Sequence, residues 1–237
     1  MNIKGAIHSL LGDTVSGMID YYRFPARRAA WGGPFNGQQR RQELFTAMVR
    51  KFKPAAIIET GTYLGTTTEF MAGMGVPVYS VEGNPRFYGF ARARLWRKRH
   101  VTIRRGDSRD ALRAFFDGPL RGYNDRTVLA YLDAHWNDDL PLADELGIIF
   151  SNCQAAVVMV DDFQVPQDSA YCYDDYGPGK ALNADYVAPL VEAHDLVLFY
   201  PSVPSQEETG LRRGCAVLCK TGVFGNKLQA LSLLRRA

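Results

Sequence analysis

No apolar run in the 237 residues approaches the ~18 that a membrane-spanning helix requires. The opening residues, Met1-Asn2-Ile3-Lys4-Gly5-Ala6, lack the apolar core of a secretory signal. The chain has four cysteines and no Cys-x-x-Cys pair. Cys215 and Cys219 stand four apart in an apolar run and read as buried thiols. This disfavours a zinc site or a disulfide framework, and a reducing, cytoplasmic setting is the expectation. Charge is nearly balanced, at +3, which permits an anionic substrate without demanding nucleic acid. Internal repeats and low-complexity segments are absent. Two nucleotide fingerprints are missing as well. There is no Gly-x-Gly-x-x-Gly, which counts against a nicotinamide oxidoreductase, and no Gly-Lys-Ser/Thr phosphate loop.

The length suits one large α/β domain or two small ones. The most informative stretch runs from Ala55 to Thr68. Four apolar residues between Pro54 and Gly61 predict a short buried strand. Gly61 and Gly65 bracket a tight turn, and Thr66, Thr67 and Thr68 offer cap hydroxyls to a helix. Strand, glycine turn and helix start together cradle a nucleotide-like ligand. Glu59 at the strand end would repel a pyrophosphate but suits a ligand carrying an ammonium group.

Further strands are predicted over 76–81, 101–105, 128–132 and 155–160, with helices between them. This order gives a doubly wound parallel sheet. Acids stand at the strand ends. Glu82 follows Glu59 by 23 residues, one βα unit, and a carboxylate there can accept two hydrogen bonds from a ribose diol. Asp107 and Ser108 follow the third strand, where either could also cap the next helix. Asp133 follows the fourth, and Asp161 and Asp162 follow the fifth. The helix after Asn84-Pro85 carries Arg86, Arg92, Arg94, Arg97, Lys98 and Arg99, which read as a solvated face or, alternatively, as a patch for RNA or an acidic partner.

The motif Glu59-Thr-Gly61-Thr62-Tyr63-Leu-Gly65-Thr66 resembles the first motif of class I S-adenosylmethionine-dependent methyltransferases, and most of all the small-molecule O-methyltransferases. The resemblance covers roughly residues 54–220. It implies a Rossmann-like, seven-stranded, mostly parallel sheet with an antiparallel last strand. It implies S-adenosyl-L-methionine contacts at Glu59, Gly61, Thr62, Tyr63, Gly65, Thr66, Glu82, Asp107, Ser108 and Asp133, with Asp107 and its neighbour at the adenine. The pattern is similar to the cation-dependent members, which implies Mg²⁺ at Asp133, Asp161 and Asp162. Such a cation would lower the pKa of a substrate hydroxyl. Some relatives carry their base two residues after the first metal aspartate, which points to His135 beside Asp133 as the catalytic pair. The lysine that others place one residue later is replaced here by Trp136.

Residues 1–53 lie outside the resemblance and form a helical N-terminal extension or lid ahead of a methyltransferase domain at 54–237. Helices are expected over 7–22 and 38–51. As a lid, the segment would offer Gln38, Gln39, Arg40 and Arg41 to ligand. Residues 163–180 make a long, tyrosine-rich loop that should overhang the active edge, with Tyr171, Tyr173, Asp174, Asp175 and Tyr176 facing substrate. Strands at 196–200 and 215–220 should close the sheet as a hairpin, and 228–237 reads as a short helix or tail. The expected partner is a small-molecule acceptor, with no membrane and no nucleic acid; a homodimer is left open. Two rival functions remain: a metal-dependent, hydroxylase-like enzyme on the same scaffold, and a non-catalytic binding module.

Overall fold

The computed structural model describes residues 3–135 and 139–237, with side chains from residue 12 onward. Eight strands form one sheet in the order β3-β2-β1-β4-β5-β7-β6-β8. The central strands are β1 (Ala56–Thr60), β2 (Val78–Glu82), β3 (Val101–Arg105), β4 (Val128–Leu132) and β5 (Ala156–Asp161), all parallel. β7 (Cys215–Lys220) is antiparallel to both β5 and β6 (Leu196–Pro201). This is the doubly wound sheet that the alternation of elements predicts, with its antiparallel member in place. The eighth strand was not anticipated. β8 (Leu234–Arg236) adds to β6 where a tail was expected: Leu234 buries, Arg235 lies over the Tyr200 ring and donates to Pro166 O, and Arg236 is exposed.

Side chains of β1, β4 and β5 alternate between two cores. Ile58, Ala130, Val158 and Val160 pack under α5 (Ser108–Asp117), α6 (Leu142–Asn152) and α7 (Ala184–Ala193). Ile57, Leu129, Tyr131, Val157 and Met159 face the other way, onto α2 (Gln39–Phe52) through Leu44, Phe45 and Met48. The N-terminal segment therefore covers one face of the sheet, and Phe35 is buried with this second core.

α1 (Ile3–Arg23) breaks at Gly12 and lies against α4 (Pro85–Leu95) at very close range. A Cβ on Gly17 would sit 1.9 Å from the Arg86 carbonyl oxygen, and one on Gly89 would sit 1.9 Å from that of Thr14. Gly89→Ala is therefore expected to lower stability by about 1–3 kcal/mol, because backbone cannot yield as a side-chain tip can. Urea unfolding checks this; an unchanged midpoint would mean that the two helices part freely.

Candidate active site

The C-terminal ends of β1, β2 and β4 meet at a loop that only glycine permits. Gly61 has φ 83°, and a Cβ there would lie 2.1 Å from the Asp133 carbonyl oxygen. Asp133 donates its backbone N–H to Thr60 O at 3.0 Å, which locks the start of its loop beside the glycine turn. Gly65, also at positive φ, caps α3 (Thr66–Ala72). The threonine hydroxyls do not cap that helix as expected. Thr68 Oγ1 donates to Glu59, Thr67 Oγ1 accepts the Phe35 N–H at 3.1 Å, and Thr66 Oγ1 accepts from Arg94 at 2.8 Å. They tie the helix start to its surroundings.

Glu59 is fully buried. Its Oε2 accepts from Thr68 and Ser80, both at 2.5 Å, while Oε1 has no partner. Burial outweighs these two bonds and pushes its carboxyl up to about 7. Glu82 grips the turn, accepting the backbone N–H of Tyr63 at 2.6 Å and of Asn84 at 2.7 Å. Thr62 Oγ1 shares a 2.5 Å hydrogen bond with Ser80. Asp107 caps α5 at the Arg109 N–H, and its carboxylate is clamped by the Arg109 guanidinium, which holds it below its ordinary value. Ser108 is buried against Glu145.

Beyond this edge lies a compact cluster of charge. His135 Nε2 stands 3.6 Å from Asp162 Oδ2 and 3.9 Å from both Asp133 Oδ1 and Asp174 Oδ2. The Arg213 guanidinium hydrogen-bonds Asp162 through Nε and Asp174 through Nη2. Burial alone would lower the His135 pKa, but Asp162, Asp133 and Asp174 outweigh it and raise the ring above its ordinary value. Asp133 is pushed up to about 8, first by withdrawal from water and then by the Asp162 carboxylate. Asp162 titrates below its ordinary value despite its burial, because His135 and Arg213 face it. Donor atoms of Asp133, His135 and Asp162 lie within 4.8 Å of one another, and the His135 Nε2 is buried without a hydrogen-bond partner. Two carboxylates and an imidazole so disposed fit a divalent cation.

Asp161 does not join this cluster. It is the last residue of β5 and shares the parity of Val157 and Met159, so its side chain enters the core under α2. There it is fully buried, bonded by the Arg41 guanidinium, by Tyr131 Oη at 2.5 Å and by Asn36 Nδ2 at 3.2 Å. Asp162, with φ 52°, turns out of the strand and carries the neighbouring carboxylate to the opposite destination. The residues that cluster are Asp133, His135 and Asp162, and the expected third carboxylate, Asp161, is not among them.

His135 is itself buried, with a side chain only 2 % exposed, so it touches the carboxylates rather than the open side, where Asp133 stands 33 % exposed. Trp136 lies outside the described residues. The loop after β5 also divides. Tyr171 is buried and donates to Val203 O at 3.0 Å, which removes it from any substrate surface. Asp175 accepts from Gly177 N–H at 2.9 Å, and Tyr176 Oη donates to Asp174 at 2.5 Å. Tyr173 stays half-buried. Gln38 and Arg41, offered as ligand contacts, are structural: Gln38 pairs with both backbone groups of Arg213, at 2.9 and 3.0 Å. Sequence reasoning passed over Arg213 and Glu145. The second had a readable signal, an acid in the apolar row Leu142, Leu146, Ile149 of α6, where it is now buried with Oε1 unpartnered. Arg213 had none, since its partners are distant in sequence.

No protein-family model and no curated protein sequence matches the chain. Solved structures do. An O-methyltransferase from Bacillus cereus in complex with SAH is 16 % identical over 91 % of this chain and 96 % of that one, with a TM-score of 0.56. The O-methyltransferase TomG from Streptomyces achromogenes, involved in tomaymycin synthesis and bound to SAM, is 15 % identical over 93 % and 96 %, TM-score 0.56. The SAH-bound methyltransferase PaMTH1 of Podospora anserina is 18 % identical over 87 % and 88 %, TM-score 0.56. At these identities the likeness is one of architecture: the chain has the fold of the class I S-adenosylmethionine-dependent O-methyltransferases.

Proposed function

We propose that the protein is an S-adenosylmethionine-dependent methyltransferase acting on a hydroxyl oxygen of a small molecule such as a sugar, a phenol or a natural product, assisted by Mg²⁺. The observation that carries this reading is the convergence of the Gly61–Gly65 turn, Glu82 and Asp133 on one sheet edge, in a fold shared with enzymes solved with SAM or SAH. In open α/β sheets that edge is where ligands bind. The unpartnered Glu59 Oε1 suits a cationic group, the Tyr63–Gly65 turn lets a ligand approach the backbone, and Glu82 suits a ribose diol. Asp107 and Ser108 border the same edge.

When bound, S-adenosylmethionine supplies an electrophilic methyl group, and a divalent cation supplies acidity to the acceptor hydroxyl. Asp133, His135 and Asp162 would hold that cation, and Arg213, itself held by Asp174, orients Asp162 and offsets its charge. The chain's own contribution is position and proton affinity. Asp133 and His135, with Oδ1 and Nε2 3.9 Å apart, are the two groups that would take the hydroxyl proton, each only in its unprotonated form. Tyr173 and Tyr176, on the loop after Asp162, suit the acceptor's ring.

Calorimetric titration with S-adenosylhomocysteine, with and without Mg²⁺, tests the reading. Single-site micromolar binding is expected, and a folded protein that binds nothing would refute it. A pH series tests Glu59. Its carboxyl holds a proton up to about 7, and a cationic ligand favours the ionised form. Affinity should therefore fall as pH drops below 7, and Glu59→Gln should weaken binding and flatten that slope. A slope unchanged in the variant would remove Glu59 from the ligand.

A further inference from the structure

We propose that the α1–α4 face is a docking surface for an anionic membrane. Val15, Ile19 and Tyr22 recur at helical spacing on α1, on the side away from the close contact that Gly17 makes with α4, and all three are exposed. Tyr22 (63 % exposed) and Trp96 (65 % exposed) border a groove of about 460 Å³ between α1, the end of α4 and the edge strand β3. Single exposed apolar residues need no explanation, but two large aromatics on one groove, with two aliphatics exposed on the same helix as one of them, do.

The same groove is ringed by cations. Arg92, Lys98 and Arg99 line it, and Arg97 lies over the Trp96 ring at 4.7 Å. Among the described residues, none of these four is in a salt bridge. Of the helix's basic residues only Arg94 is buried, bonded to Thr66 and to the Arg28 carbonyl. The pattern runs on to Phe24, whose ring lies under Arg23 and Arg27 at 5.5 and 5.1 Å.

Charge complementarity selects the occupant. A second copy related by a two-fold axis would bring the cations toward their own equivalents. A nucleic acid would engage the cations and stack on Trp96, but would leave the aliphatic Val15 and Ile19 without a role. An anionic bilayer takes every component. Aliphatic side chains enter the acyl boundary, Tyr and Trp sit at the headgroup level, and the long cationic side chains reach the phosphates. No helix among the described residues is long and apolar enough to cross a membrane, so the attachment is peripheral.

The test is flotation of the full chain with vesicles of phosphatidylcholine alone and of phosphatidylcholine mixed with phosphatidylglycerol. Binding is expected to the mixed vesicles only, and to weaken with salt. Arg97→Glu with Arg99→Glu should weaken it at least about thirtyfold. Ile19→Ser with Trp96→Ala should weaken it at least several-fold, with thermal melting unchanged in both variants. Equal binding to both vesicles, no binding, or full retention in either variant would overturn the proposal. So would a variant-sensitive oligonucleotide complex, or a variant-sensitive dimer, in a protein that ignores vesicles.

Discussion

Asp161→Ala is expected to destabilise the protein by about 3–5 kcal/mol, a large share of the ~5–15 kcal/mol that holds a typical domain folded. The Arg41 side chain is 2 % exposed and its carboxylate partner is fully buried. Truncation leaves a guanidinium with only the Arg213 carbonyl oxygen to meet it. Tyr131 Oη and Asn36 Nδ2 lose their acceptor at the same time. Urea unfolding measures the loss. Arg41→Met combined with Asp161→Leu should recover most of it, since removing both charges leaves neither orphaned. A single-variant loss below about 1 kcal/mol would show that water reaches the site.

Asp133→Asn should do the reverse: methyl transfer should fall by about 10²–10⁴-fold while the protein stays as stable as before or becomes more so. The stability sign follows from the raised pKa. The folded state holds the Asp133 proton up to about 8, whereas an unfolded aspartate releases it near 4. Across that interval, raising the pH favours the unfolded chain, so ionised Asp133 costs stability and its amide removes the cost. Transfer is read with an isotopically labelled methyl donor against hydroxylated acceptors, and Mg²⁺ heats by calorimetry. Affinity for S-adenosylhomocysteine should change only a few-fold. Retained transfer together with a retained Mg²⁺ signal would exclude Asp133 from the chemistry.

These opposite outcomes for two strand-end aspartates mark how far the sequence could be read. The strands were legible because Pro54 and Gly61, or Asp133, bound short apolar runs, and β4 matches residue for residue. The acids at the strand ends were legible for the same reason. The fate of Asp161 was half legible. Alternation along β5 puts it with Val157 and Met159, but Arg41 stands 120 residues away and nothing local announces it. Tyr171 looked like a ligand contact because tyrosine in a loop usually is exposed, and only the path of the loop shows it buried. β8 has three residues, two of them arginine, too few for a periodic signal.

The N-terminal segment is knit to the far end of the chain. Glu208 accepts the backbone N–H groups of Arg40 and Arg41, and Gln38 pairs with Arg213 across 175 residues. β7, made late, inserts between β5 and β6. On the ribosome, α2 therefore emerges early, and Glu208 follows Arg40 only 168 residues later. Until then the start of α2 lacks the carboxylate that holds its N–H groups, and the core face carrying Phe45 and Met48 is incomplete. Such high contact order slows closure and exposes apolar surface during synthesis, which makes this half of the molecule the part a chaperone would be expected to hold.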